Sequence, residues 1–173
     1  MFAAAETQRI ASSHYTVRLS RELTRMVTNE KRLRILIVED DEWWQKAFAA
    51  IFKQPALAVC SVEFANSANQ AMAMLMSKCF DLAILDYHLG DHNAAQLVDQ
   101  WRKFGYELPF VCVSDASADS YENSAMRSLG SCGHIAKSEA DNPAALERFI
   151  NAAISGYWME QASLCPCLKF SAQ

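Results

Sequence analysis

RILIVEDDE, residues 34–42, decides how the rest of the chain is read. Ile35, Leu36, Ile37 and Val38 form the short branched apolar run expected of a buried strand. They lead straight into four acids, Glu39, Asp40, Asp41 and Glu42. Neighbouring like charges repel by about 1 kcal/mol even in bulk water, and by more where water is excluded. Something must offset that repulsion. The start of a solvated helix would do so, and so would a hard cation.

Outward from this stretch, apolar runs recur at residues 58–64, 82–85, 110–113 and 134–136. Longer segments with helical spacing lie between them. In the first, Trp44, Ala47, Phe48, Ile51 and Phe52 share one face. Ser67 is placed to cap the second helix, with Ala71, Met72, Leu75 and Met76 on its apolar side. Asn93 is placed to cap the third, which carries Leu97, Val98 and Trp101. Ser117 or Asp119 opens a weaker fourth through Met126 and Leu129. The last begins with Asn142 as cap and Pro143 at the first helical position. Five strands alternating with five helices predict an α/β fold: a (βα)5 doubly wound parallel sheet, with right-handed crossovers and helices on both faces.

The expected domain spans residues 33–157. Residues 1–32 read as an extension, either weakly ordered or forming one short helix at 18–27, and 158–173 as a tail. The 173 residues are 51% hydrophobic and 21% charged, with net charge −4. That balance lacks the basic stripe of a nucleic-acid surface, so no direct DNA binding is expected. No apolar run approaches the length of a membrane span, and MFAAAETQRI lacks the pattern of a secretory signal. A cytoplasmic location follows as the expectation. Cys60, Cys79, Cys112 and Cys132 sit in apolar surroundings as free thiols, and Cys165 and Cys167 read as two thiols on a tail.

In sheets of this kind ligands bind beyond the carboxyl ends of the strands. The residues placed there are Asp40 and Asp41 after the first strand, Asp86 after the third, Ser114 after the fourth and Lys137 after the fifth. Three carboxylates, a hydroxyl and an ammonium thus converge on one edge. Asp40, Asp41 and Asp86 offer oxygen ligands of the kind Mg²⁺ prefers.

This ordered set resembles the receiver domain of bacterial two-component response regulators, over roughly residues 33–157. The resemblance implies the strand order 2-1-3-4-5. It implies that Asp86 is the phosphoacceptor and that Asp40, Asp41 and Asp86 bind Mg²⁺ with the backbone carbonyl of His88. Lys137 would pair with Asp86 at rest, and Ser114 would hydrogen-bond the phosphoryl group. A sensor histidine kinase or phosphotransfer protein would supply the phosphate, and a downstream protein target would read it. The expected type is a stand-alone signalling phosphoacceptor rather than an enzyme, with a homodimer through the last helix as a further option.

Four positions depart from the family pattern. Asp115 stands where a small residue is usual, Ser138 where proline is usual, and Gly90 where the loop usually has proline. His134 occupies the switch position, usually Tyr or Phe. Asp115, Ser138 and His134 favour the alternative, a phosphorylation-independent pseudo-receiver adaptor. A phosphatase of the haloacid dehalogenase type would want a second Asp where His88 stands. A flavodoxin-like cofactor site would not place acids where a phosphate must sit.

Overall fold

The computed structural model describes residues 33–57, 60–90, 92–115 and 120–164, with side chains as far as residue 153. The expected 18–27 helix, Ser117, Asp119, Cys165 and Cys167 lie outside these residues. Five strands form one parallel sheet: β1 Leu33–Val38, β2 Cys60–Ala65, β3 Leu82–Asp86, β4 Phe110–Ser114 and β5 His134–Ala136. Their spatial order is β2-β1-β3-β4-β5, as the family resemblance implies. The principal helices are α1 Glu42–Ile51, α2 Ala68–Ser77, α3 Ala94–Lys103, α4 Tyr121–Ser128 and α5 Pro143–Leu164. A short antiparallel ladder, His88–Leu89 with His92–Asn93, follows β3.

The central strands β1, β3 and β4 are buried on both faces because helices cover both. Along β1, Leu36 and Val38 pack with Met72, Leu75, Leu97, Trp101 and Met126, from α2, α3 and α4. Ile35 and Ile37 face the other way, toward Phe48 and Ile51 of α1 and Leu146 and Ile150 of α5. The two-residue alternation of the strand thus feeds two separate cores. Burying each such side chain contributes about 1.5–3 kcal/mol.

The caps follow the sequence closely. Ser67 accepts the Gln70 N–H at the start of α2. Asn93 and Gln96 form a reciprocal capping box on α3. Asn142 accepts the N–H groups of Ala144 and Ala145 at the start of α5. The fourth helix starts later than expected, capped by Ser120, whose hydroxyl accepts the Asn123 N–H. The second strand runs over Cys60–Ala65, one residue further than the expected end at 64, and residues 58 and 59 lie outside the described residues. Its register against β1 runs from Leu33 opposite Cys60 to Val38 opposite Ala65. Helix α5 continues past Tyr157, where the sequence places the domain end.

Candidate functional site: an acidic cleft at the carboxyl edge

Strand register builds the site. Val38 lies opposite Leu85, which sets Glu39 level with Asp86. Asp86 lies opposite Val113, one residue before Ser114. Ser114 lies opposite Ala136, one residue before Lys137. The four side chains therefore meet at one edge, from the carboxyl ends of four neighbouring strands. Together with Asp40, Trp44 and others they line a cleft of about 450 Å³.

Lys137 is the centre of the buried part. Its Nζ donates to Asp86 Oδ2 at 2.9 Å and lies 2.9 Å from Glu39 Oε2. All three side chains are at least nine-tenths buried. Burial works to lower the ammonium's pKa, but the contacts with Asp86 and Glu39 outweigh it, and the net shift is upward. Glu39 is pushed up to about 7, first by burial and then by the charge of Asp86; Lys137 and the Asp41 N–H act against that rise. The glutamate is tightly held. Its Oε1 accepts the Asp41 N–H at 3.2 Å, and its carbonyl accepts the Gln45 side-chain amide at 2.5 Å. Its own N–H continues the sheet ladder to the Ala65 carbonyl.

The sequence reading pairs Asp40 with Asp41. The structure instead brings together Glu39, Asp40 and Asp86, with one carboxylate oxygen from each within 4.8 Å of the others. Asp41 lines the cleft, but its carboxylate accepts the Trp43 N–H at 2.7 Å as the N-cap of α1. Asp41 serves the helix start, and Glu39 and Asp40 face Asp86. The missed signal was the strand itself, because Glu39 remains in register with β3 while Asp41 has left the sheet.

Around this centre the cleft is more open. Ser114 is buried, and its hydroxyl lies 3.2 Å from His134 Nε2. The His134 pKa is lowered by burial, then by Arg127, against the opposing pull of Glu139 and Glu122. His88 is exposed, and its Nε2 meets Glu122 at 3.0 Å. Asp115 is exposed at the same cleft. Gly90 adopts φ 63°, a conformation closed to proline, which accounts for the loop's departure at that position. Cys112 lies under the site, and its thiol is pushed up to about 12, first by burial and then by Asp86 and Glu122, so it offers no thiolate.

The donor set fits a magnesium ion. Three carboxylates face a single ammonium, the oxygens are hard ligands, and a divalent cation would offset the remaining negative charge.

The response regulator receiver domain model matches residues 35–149, more than half of the chain. The chain belongs to that family. A solved receiver domain from Methanospirillum hungatei, described as CheY-like, is similar at 26% identity and TM-score 0.63, covering 75% of this chain and 98% of that one. Among curated relatives, the alginate biosynthesis transcriptional regulatory protein AlgB of Pseudomonas aeruginosa is 32% identical over 102 residues. That match covers 59% of this chain and 21% of AlgB. The transcriptional regulatory protein PmrA of Pectobacterium parmentieri is 30% identical over 82 residues, covering 47% of this chain and 36% of PmrA. The chain thus spans about a fifth to a third of those regulators' length. Receiver domains bind Mg²⁺ at their acidic pocket and interact with histidine kinases or phosphotransfer proteins. Among the described residues, no helix of this receiver domain is long and apolar enough to cross a membrane.

Proposed function

We propose that this receiver domain accepts a phosphoryl group on Asp86 from a histidine kinase or phosphotransfer protein. We propose further that the phosphorylated domain passes its signal on through contacts with a downstream protein. The observation that carries this reading is the placement of Asp86: at the end of β3, ion-paired to Lys137, with the Glu39 and Asp40 carboxylates beside it.

A carboxylate oxygen of Asp86 would attack the phosphorus. The P–N bond to the donor histidine breaks, the ring nitrogen keeps its electron pair, and an aspartyl phosphate forms. Glu39, Asp40 and Asp86 would hold Mg²⁺, with the His88 carbonyl as a further candidate ligand and Asp41 replaced by Glu39 in the inner set. The bound ion would neutralise charge on the phosphoryl oxygens. Lys137 would keep its place beside Asp86 while exchanging one carboxylate contact for a phosphoryl oxygen. Ser114 would donate its hydroxyl proton to another phosphoryl oxygen, giving up the contact with His134. That exchange differs between the two states, so it biases the packing of the β4–α4 and β5 region.

Incubation of the protein with Mg²⁺ and acetyl phosphate tests this. The expected result is a mass gain of one phosphate, removed by hydroxylamine and absent in Asp86→Asn. No gain in the wild type moves the reading to the phosphorylation-independent adaptor, which Asp115, Ser138 and His134 favour.

A further inference from the structure

We propose that Trp44 is a positioning residue for Lys137, its indole face holding the ammonium on the Asp86–Glu39 carboxylate pair. The consequence for phosphoryl transfer rests on the phosphoacceptor reading, but the contact itself does not. Lys137 Nζ lies 5.1 Å from the centre of the Trp44 ring. An ammonium has three N–H donors. Two directions are taken by carboxylate oxygens at 2.9 Å. The aromatic face covers a further side, and its negative quadrupole attracts the cation more strongly once water is excluded.

A lysine stem is flexible, and its head turns to water when nothing encloses it. Here the enclosing wall is itself anchored. Trp44 packs on Phe48 with ring centres 5.9 Å apart, and Phe48 is 1% exposed in the α1 core. Trp43 makes a T-shaped contact with Trp44 at 4.9 Å and 89°. Trp44 is therefore fixed from the core outward while forming one wall of the cleft. A tryptophan that only filled the core would leave Lys137 indifferent to its removal. One that positions the ammonium confines Lys137 to short movements between Asp86 and a phosphoryl oxygen.

The test uses the full chain as wild type, Trp44→Leu and Trp44→Phe, each checked for cooperative thermal unfolding. In NMR spectra the Lys137 ε-methylene protons, assigned with Lys137→Arg, should lie upfield of the other lysines through the ring current. That displacement should vanish in Trp44→Leu and persist in part in Trp44→Phe. Acetylation of Lys137 by an amine-reactive ester, mapped by mass spectrometry, should be about tenfold faster in Trp44→Leu, equivalent to ~1.4 kcal/mol. Trp44→Phe should restore the rate to within about threefold of wild type. Phosphate uptake from acetyl phosphate should slow in Trp44→Leu and recover in Trp44→Phe.

An undisplaced Lys137 signal in the wild type, or equal labelling in wild type and Trp44→Leu, overturns the proposal. If the spectra and labelling come out as expected but the wild type takes up no phosphate, Trp44 still positions the lysine and the phosphoacceptor reading is what fails. Should Trp44→Leu not fold, the wild-type displacement and its reduction in Trp44→Phe decide alone.

Discussion

The two sides of the acidic cleft are built differently. On the α1 side, Glu39, Trp44, Asp86 and Lys137 are interlocked, with both ion pairs at 2.9 Å and an aromatic wall tied to the core. On the α4 side, Asp115 and Tyr121 are exposed, and His88 reaches Glu122 through an exposed contact. The difference follows from what holds each side. Strand register fixes the first, and shifting it would unseat a whole sheet. Loops and a two-turn helix hold the second, where contacts are few and rearrangement costs little. The side that would perform chemistry is rigid, and the side that would report it is loose.

The sharpest way to break this contrast is to remove the charge at the centre of the rigid side. Lys137→Met leaves Glu39 and Asp86 buried without their cation. In the absence of Mg²⁺, urea unfolding should show a loss of about 3 kcal/mol. A loss under about 1 kcal/mol would mean the pair is less enclosed than its burial indicates.

Magnesium addresses the same negative charge. At a concentration near a hundred times its dissociation constant, it should stabilise the wild type by about 2.7 kcal/mol. Glu39→Gln should retain much less of that gain, because one ligand charge is gone. Equal stabilisation in Glu39→Gln and wild type would remove Glu39 from the proposed ligand set.

Asp41 supplies the control two residues along the chain from Glu39. Asp41→Ala should cost about 1 kcal/mol through loss of the α1 cap, and Asp41→Asn should cost almost nothing. Calorimetry should find Mg²⁺ affinity little changed in both. A large loss of affinity would restore Asp41 to the ligand set.

The smallest effect belongs to the loose side. His88→Ala should alter stability by no more than about 0.5 kcal/mol, since its partner contact is exposed. A larger effect in thermal unfolding would show that α4 is clasped to the β3 loop.

Much of this was legible in the sequence because it is local. Apolar runs flanked by helical spacing located the strands, and Ser67, Asn93 and Asn142 announced their helices by side-chain chemistry alone. Asp86, Ser114 and Lys137 were singled out because each stands at the carboxyl end of a strand, Asp86 and Ser114 as its last residue and Lys137 just past it. The choice between Glu39 and Asp41 was not legible, because four successive acids carry no periodicity. Only the pairing of β1 with β3 shows which of them points at Asp86. Trp44 was read as part of an apolar helix face, which it is. Its second contact, with Lys137, joins residues far apart in the chain and exists only once the sheet is assembled. His134 was flagged for its unusual chemistry, but its approach to Ser114 depends on the β4–β5 register.

Asp86 as the phosphoacceptor is tested most directly by trapping the phosphorylated residue. Wild-type protein treated with Mg²⁺ and acetyl phosphate, then reduced with borohydride and digested, should yield homoserine at position 86 on peptide mapping. Homoserine at another aspartate, or an unmodified peptide despite phosphate uptake, would contradict the account.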